Sequence, residues 1–225
     1  MAARVHHAAA TPAPDPGTNL ERIHSLLLEA GRQGVMLLVT PELFVTAEAT
    51  TDGSLLRERL RWMARSTGVG LIASTPETTD TATYIGADWW DSSGNLVAHE
   101  RKHRLAEWQF ARGFTAWDER PLSILTSMYS DQGIKGRVAL GFADDLADPA
   151  YEYYLRDHGV SRFLELGPAS TRSESIEPAP AWAPKHTGIP FPQPGPLPEP
   201  LLRPLPRITD SWWETTIRPA PGWGS

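Results

Sequence analysis

The side chains able to do chemistry in this chain are carboxylates and cations that stand just beyond apolar runs. Glu42 follows the run Val35–Val39, at what would be the C-terminal end of a strand, and α/β sheets place ligand-contacting residues there. A carboxylate so placed can act as a general base, and it can equally cap the strand or complete an ion pair. Lys102 closes a second run, Leu96–Arg101, where a cation can stabilise developing negative charge. The stretch 101–104 also reads as a solvated charged surface, His103 as a surface imidazole and Glu107 as a lone carboxylate. Asp144 and Asp145 follow a third apolar run, Arg137–Phe142. Neighbours on a strand point to opposite faces, so Asp144 is expected to aim away from the direction Ala143 takes. The chain contains no cysteine, which excludes disulfides, thiolate metal sites and cysteine nucleophiles together.

The elements that must position these groups alternate between helix and strand. Leu20, Ile23, Leu27 and Ala30 recur at helical spacing and predict an amphipathic helix over 19–33, with Gly34 as its stop signal. Val35–Val39 is a continuous apolar run of the kind buried on both faces. Leu56, Leu60, Met63 and Ala64 predict a second helix over 53–67, closed by Gly68, and Val69–Ser74 a second buried strand. Tyr84–Trp90 and Leu96–Arg101 read as two strands joined by a turn at 91–95, where Gly94 and Asn95 tolerate positive φ. Residues 103–120 are aromatic without a sustained period and read as an ordered loop. Leu122–Thr126, Arg137–Phe142 and Arg162–Leu166 are further strand candidates, and Pro149–His158 a helix opened by its proline. This rhythm is that of an α/β domain.

Composition narrows the partners. The net charge is −6 and the lysines and arginines are scattered, so no basic stripe marks a nucleic-acid surface. No run approaches the roughly 20 apolar residues that span a bilayer, and the N-terminus lacks the apolar core of a secretory signal, so a cytoplasmic protein is expected. Thirteen of the 21 prolines lie beyond Glu177, six of them at alternate positions from Pro190 to Pro200. Such a segment donates poorly to a sheet ladder and is expected to be non-regular, exposed and free of strand pairing. No two prolines have the PxxP spacing that SH3-like grooves recognise. The expected organisation is one domain over 1–170 and a proline-rich, largely non-regular tail over 171–225.

Several segments in order resemble the nitrilase superfamily, the carbon-nitrogen hydrolase domain. Residues 15–23 resemble its opening turn and first helix, and 34–44 the strand that carries its first catalytic glutamate. Residues 71–77, Tyr84 and the stretch 91–102 are similar to the segment leading to its catalytic lysine. Residues 136–149 resemble its nucleophile strand, with the family's Cys-aromatic-Asp replaced by Ala143-Asp144-Asp145, and 159–169 its following strand. The resemblance covers about residues 2–170. Two departures accompany it: Ile85 follows Tyr84 where the family favours asparagine, and the proline-rich tail stands in place of the last strands and helix.

The resemblance implies an αββα sandwich, incomplete at the C-terminus, that pairs as a homodimer or is covered by a partner subunit. It implies hydrolysis of a small amide or nitrile without cofactor or metal: a base deprotonates the thiol, the thiolate attacks carbon, lysine stabilises the charge, and water releases the acyl group. Glu42 would be the base, Lys102 the electrostatic stabiliser, Glu107 the residue that orients the lysine or substrate, and Ala143 the position of the nucleophile. A methyl group forms no covalent intermediate. Three readings therefore stand: an inactive binding or scaffold domain, a truncated or frame-shifted remnant, and a non-covalent amidase using water activated by Glu42. In each of the first two readings hydrolysis is absent.

Overall fold

The computed structural model describes residues 4–8, 12–119, 124–125, 137–160, 162–167 and 213–216. Helix α1 (Pro16–Arg32) starts where the Asp15 side chain accepts from the backbone N–H of Thr18, and α2 (Gly53–Thr67) where Asp52 caps Ser54. Each cap satisfies a donor that the first turn of a helix leaves open. Gly68, at φ 67°, ends α2 in the left-handed region that glycine enters without a Cβ clash.

Between and after these helices run β1 (Arg4–His7), β2 (Leu37–Val39), β3 (Gly70–Thr78), β4 (Thr83–Trp90) and β5 (Leu96–Arg101). Strands β1, β2 and β3 are parallel neighbours, and β3, β4 and β5 pair antiparallel in sequence. A six-stranded sheet results, in the order β5-β4-β3-β2-β1-β9, with β9 (Trp213–Thr216) antiparallel to β1. A short helix α3 (Glu107–Ala111) comes next. A second sheet, β6-β7-β8, joins β6 (Ile124–Leu125), β7 (Val138–Phe142) and β8 (Arg162–Leu166), the last two parallel. Between β7 and β8 lie a 3-10 turn (Ala143–Ala147) and α4 (Pro149–Asp157).

The buried clusters give the layering. Leu38, Leu71, Ala73 and Trp90 meet Leu20, Ile23, Leu27, Leu60 and Ala64, so one face of the large sheet is covered by α1 and α2. Its other face sends Leu37, Val39, Ile72, Ala87 and Trp89 against Val138, Leu140, Phe142, Leu164 and Leu166 of the small sheet. Ala139 and Phe163 on the far side of that sheet pack on Tyr151 and Leu155 of α4. The result is the αββα sandwich, with its main core between two sheets whose alternate residues interdigitate.

Three sequence expectations are corrected, and one strand that no sequence pattern announced is added. Residues 107–111 form helix rather than loop, because Gln109 closes the turn from its third position by accepting the Ala106 N–H. Residues 4–7 form β1 although their Arg-Val-His-His sequence carries no apolar run; the ladder to β2 decides it. The strand expected over Val69–Ser74 continues to Thr78, carried by its pairing with β4. Strand pairing does occur in the tail, at 213–216, within a proline-free interval containing Trp and Thr, residues that suit a pleated surface. The rest of the tail lies outside the described residues, as does most of Leu122–Thr126.

Candidate active site

Three strand ends converge. Glu42 lies just past β2, in a loop pinned from both sides: its backbone N–H donates to the Gly167 carbonyl beyond β8, and the Leu43 N–H donates to Ser74 Oγ of β3. Leu43 takes φ 51°, a left-handed conformation costly for a branched side chain. Backbone strain of this kind persists only where the surroundings over-determine it, and it collects at functional sites. Lys102 continues the end of β5, its N–H donating to the Ile85 carbonyl of β4. Asp144 and Asp145 stand just past β7.

The side chains of Glu42 and Lys102 meet. Lys102 Nζ donates to Glu42 Oε1 at 2.7 Å and to Oε2 at 2.8 Å, with the lysine fully buried and the glutamate 7% exposed. Nζ also stands 5.6 Å from the centroid of the Phe142 ring. Burial pushes the Glu42 carboxyl above its ordinary range, against the opposing pull of the Lys102 charge and hydrogen bond. A base held this way is matched to proton transfer nearer neutrality than a free carboxylate.

Asp144 faces this pair. Its Oδ2 accepts from Lys102 Nζ at 2.6 Å, so the side chain joins the Glu42–Lys102 cluster, and the strand alternation from which its direction was expected does not apply. Strand alternation fails here because β7 stops at Phe142 and the chain turns into the 3-10 conformation at Ala143, where successive side chains advance by about a third of a turn rather than reversing. Asp145 points elsewhere: wholly buried, it accepts the backbone N–H groups of His103 and Arg104 and ties the end of β7 to the segment after Lys102. Burial raises its carboxyl to about 6, against those two bonds and the neighbouring His103. His103 Nε2 lies 3.3 Å from Glu100, and its ring stacks at a tilt on Tyr151.

Of the sequence-derived set, Glu42 and Lys102 are thus in contact, and Ala143 is the half-buried residue between Phe142 and Asp144. Glu107 is not brought to them. It is exposed at the first position of α3, and its side chain makes no hydrogen bond to Glu42 or Lys102. Gln109, two residues on, turns inward instead: buried, it donates from Nε2 to Glu42 Oε1 at 2.5 Å while its Oε1 accepts the Ala106 N–H. The signal for Gln109 was a polar residue among Trp108, Phe110 and Phe114, and its capping position. An open groove between α2 and the β4–β5 turn, lined by Leu55, Arg61, Trp90 and Leu96, shares no residue with this cluster.

Residues 3–134 match the family model of the carbon-nitrogen hydrolases. The chain belongs to that family. Within the nitrilase superfamily, a crystal structure of an amidase from Nesterenkonia sp. is similar at 26% identity and a TM-score of 0.64, over 73% of this chain and 64% of that one. A cysteine-to-alanine mutant of the amidase from Nesterenkonia sp. AN1, in complex with butyramide, is similar at 26% identity and a TM-score of 0.61, over 73% and 64% of the two chains. Hydrolase C26A3.11 of Schizosaccharomyces pombe is 28% identical over 164 residues, 68% of this chain. This carbon-nitrogen hydrolase family chain spans about half the length of that curated relative and just under two thirds of the amidase chains. Among the described residues, no helix is long and apolar enough to cross a membrane.

Proposed function

We propose that this chain is a carbon-nitrogen hydrolase family domain that binds a small amide or nitrile and does not hydrolyse it. The observation that carries the reading is a contrast at one place: the buried Glu42–Lys102 pair is intact, while Ala143 begins the turn beyond β7 and the chain has no cysteine. Glutamate and lysine can prepare a proton transfer and stabilise charge, but a methyl group supplies no electron pair to form the acyl intermediate. Loss of a nucleophile costs several orders of magnitude in rate even where the electrostatics survive. The related amidase mutant that lacks its cysteine is found in complex with butyramide, which supports ligand binding without turnover. A homodimer or a covering partner subunit, in the cytoplasm, belongs to the same proposal.

The test is ammonia release from simple aliphatic amides and nitriles by the purified chain, beside Glu42→Gln and Lys102→Ala. Release at background in all three is expected. Turnover that both substitutions abolish would instead establish the non-covalent hydrolase with water activated by Glu42. Turnover that survives both would remove the cluster from the chemistry altogether. Cooperative unfolding of the soluble protein distinguishes a binding domain from a remnant that never folds.

A further inference from the structure

The contacts of Lys102 carry a consequence for what the site can bind. A lysine ammonium has three N–H donors and no acceptor. Nζ meets three carboxylate oxygens, Glu42 Oε1 at 2.7 Å, Glu42 Oε2 at 2.8 Å and Asp144 Oδ2 at 2.6 Å. Glu42 and Lys102 are buried, whereas the Asp144 side chain is 49% exposed. The donor that Asp144 holds is therefore the one turned toward solvent. An amide, nitrile or acid approaches with an acceptor atom, an acyl oxygen or a nitrile nitrogen, and needs that donor. What the cluster presents is a carboxylate, which repels an acid and competes with an amide for the same N–H.

We propose that Asp144 is a specificity-determining residue: its carboxylate occupies the outward N–H of Lys102, so that an acyl oxygen reaches the lysine only by displacing it. The inference rests on reading the Glu42–Lys102 cluster as the amide site. A second effect has the same sign. A thiol introduced at Ala143 would stand beside the Asp144 charge, and a like charge disfavours the thiolate. Replacing Ala143 alone would restore a sulfur without a free stabilising donor.

The test uses the full chain with ¹⁵N-labelled lysine, titrated with butyramide and followed at the Lys102 ammonium signal, as wild type, Asp144→Asn and Asp144→Ala. The expected result is binding about tenfold tighter in Asp144→Ala than in wild type, the loss of one charge-assisted competitor at a half-exposed position. Asp144→Asn, whose neutral carbonyl still accepts a weaker bond, is expected between them. Equal affinity in all three proteins overturns the proposal. If none binds butyramide, exchange of the Lys102 ammonium hydrogens with water decides. Exchange faster in Asp144→Ala keeps Asp144 as the holder of the donor and refutes the amide reading of the site. Unchanged exchange refutes the role of Asp144 itself.

Discussion

Replacing Lys102 by Met removes a charge from the interior while nearly conserving side-chain length and volume, so its cost reports the electrostatics of the site rather than its packing. In the native protein Lys102 is fully buried, and Glu42 at 7% exposure has its two oxygens on Nζ. Breaking a buried ion pair by deleting one partner costs about 3–5 kcal/mol, because the other charge stays desolvated and uncompensated. Asp144 loses a partner too, but at 49% exposure water takes over and its share is small. With a urea slope of about 2–3 kcal/mol/M for a domain of this size, the unfolding midpoint should fall by roughly 1–2 M. The pH dependence identifies the cause. Glu42 already has a carboxyl raised by burial, and without Lys102 it rises further. A carboxyl raised in the folded state favours folding at low pH, and that contribution is lost as pH climbs from the ordinary carboxylate range through the raised value. The deficit of Lys102→Met relative to wild type should therefore be small near pH 5 and full at pH 8. Lys102→Met combined with Glu42→Gln, which removes both charges of the pair, should recover most of it at pH 8. A deficit constant across that range, or one below about 1 kcal/mol at pH 8, would refute the account of a desolvated pair.

Two further predictions concern titrating groups outside the pair. Burial draws the His99 imidazole down, but its hydrogen bond to Asp88 at 2.8 Å and its contact with Glu77 at 3.0 Å outweigh this and raise it to about 9. A raised histidine stabilises the fold fully below its ordinary value near 6.5 and loses that contribution as pH rises through about 9; melting temperature should fall over this window in the wild type and less in His99→Gln. Glu165 on β8 is buried, its Oε2 has no hydrogen-bond partner among the described residues, and burial, with the nearby Asp144 charge, raises it to about 7. Its raised carboxyl favours folding below the ordinary 4.5 and ceases to as pH passes about 7, so Glu165→Gln should be more stable than wild type at pH 8, by up to about 3 kcal/mol, and no more stable at pH 5, by urea denaturation.

Much of the fold was legible in the sequence because local pattern carries it. The spacing of Leu20, Ile23, Leu27 and Ala30 placed α1, and these residues are buried against the sheet. The unbroken apolar run Val35–Val39 placed a strand buried on both faces, with Glu42 beyond its end, and the strand forms over its last three residues, Leu37–Val39. That Glu42 and Lys102 share a site followed only from the order of family-like segments, since no periodicity links residues 60 positions apart. The tertiary structure alone decided which polar side chains complete it. Glu107 and Gln109 lie on one short helix, and the rotation of α3 against Glu42 turns the amide inward and leaves the acid in water. Asp144 enters because the backbone leaves the extended conformation at Ala143, and the two-residue alternation read from sequence holds only while a strand continues. Sequence determined the strongly patterned elements and the missing thiol, because propensity and composition are local properties, whereas β1, α3 and β9 were set by pairing and packing. The ends of those elements determined the contacts at the site, because they are set by what each strand and helix packs against.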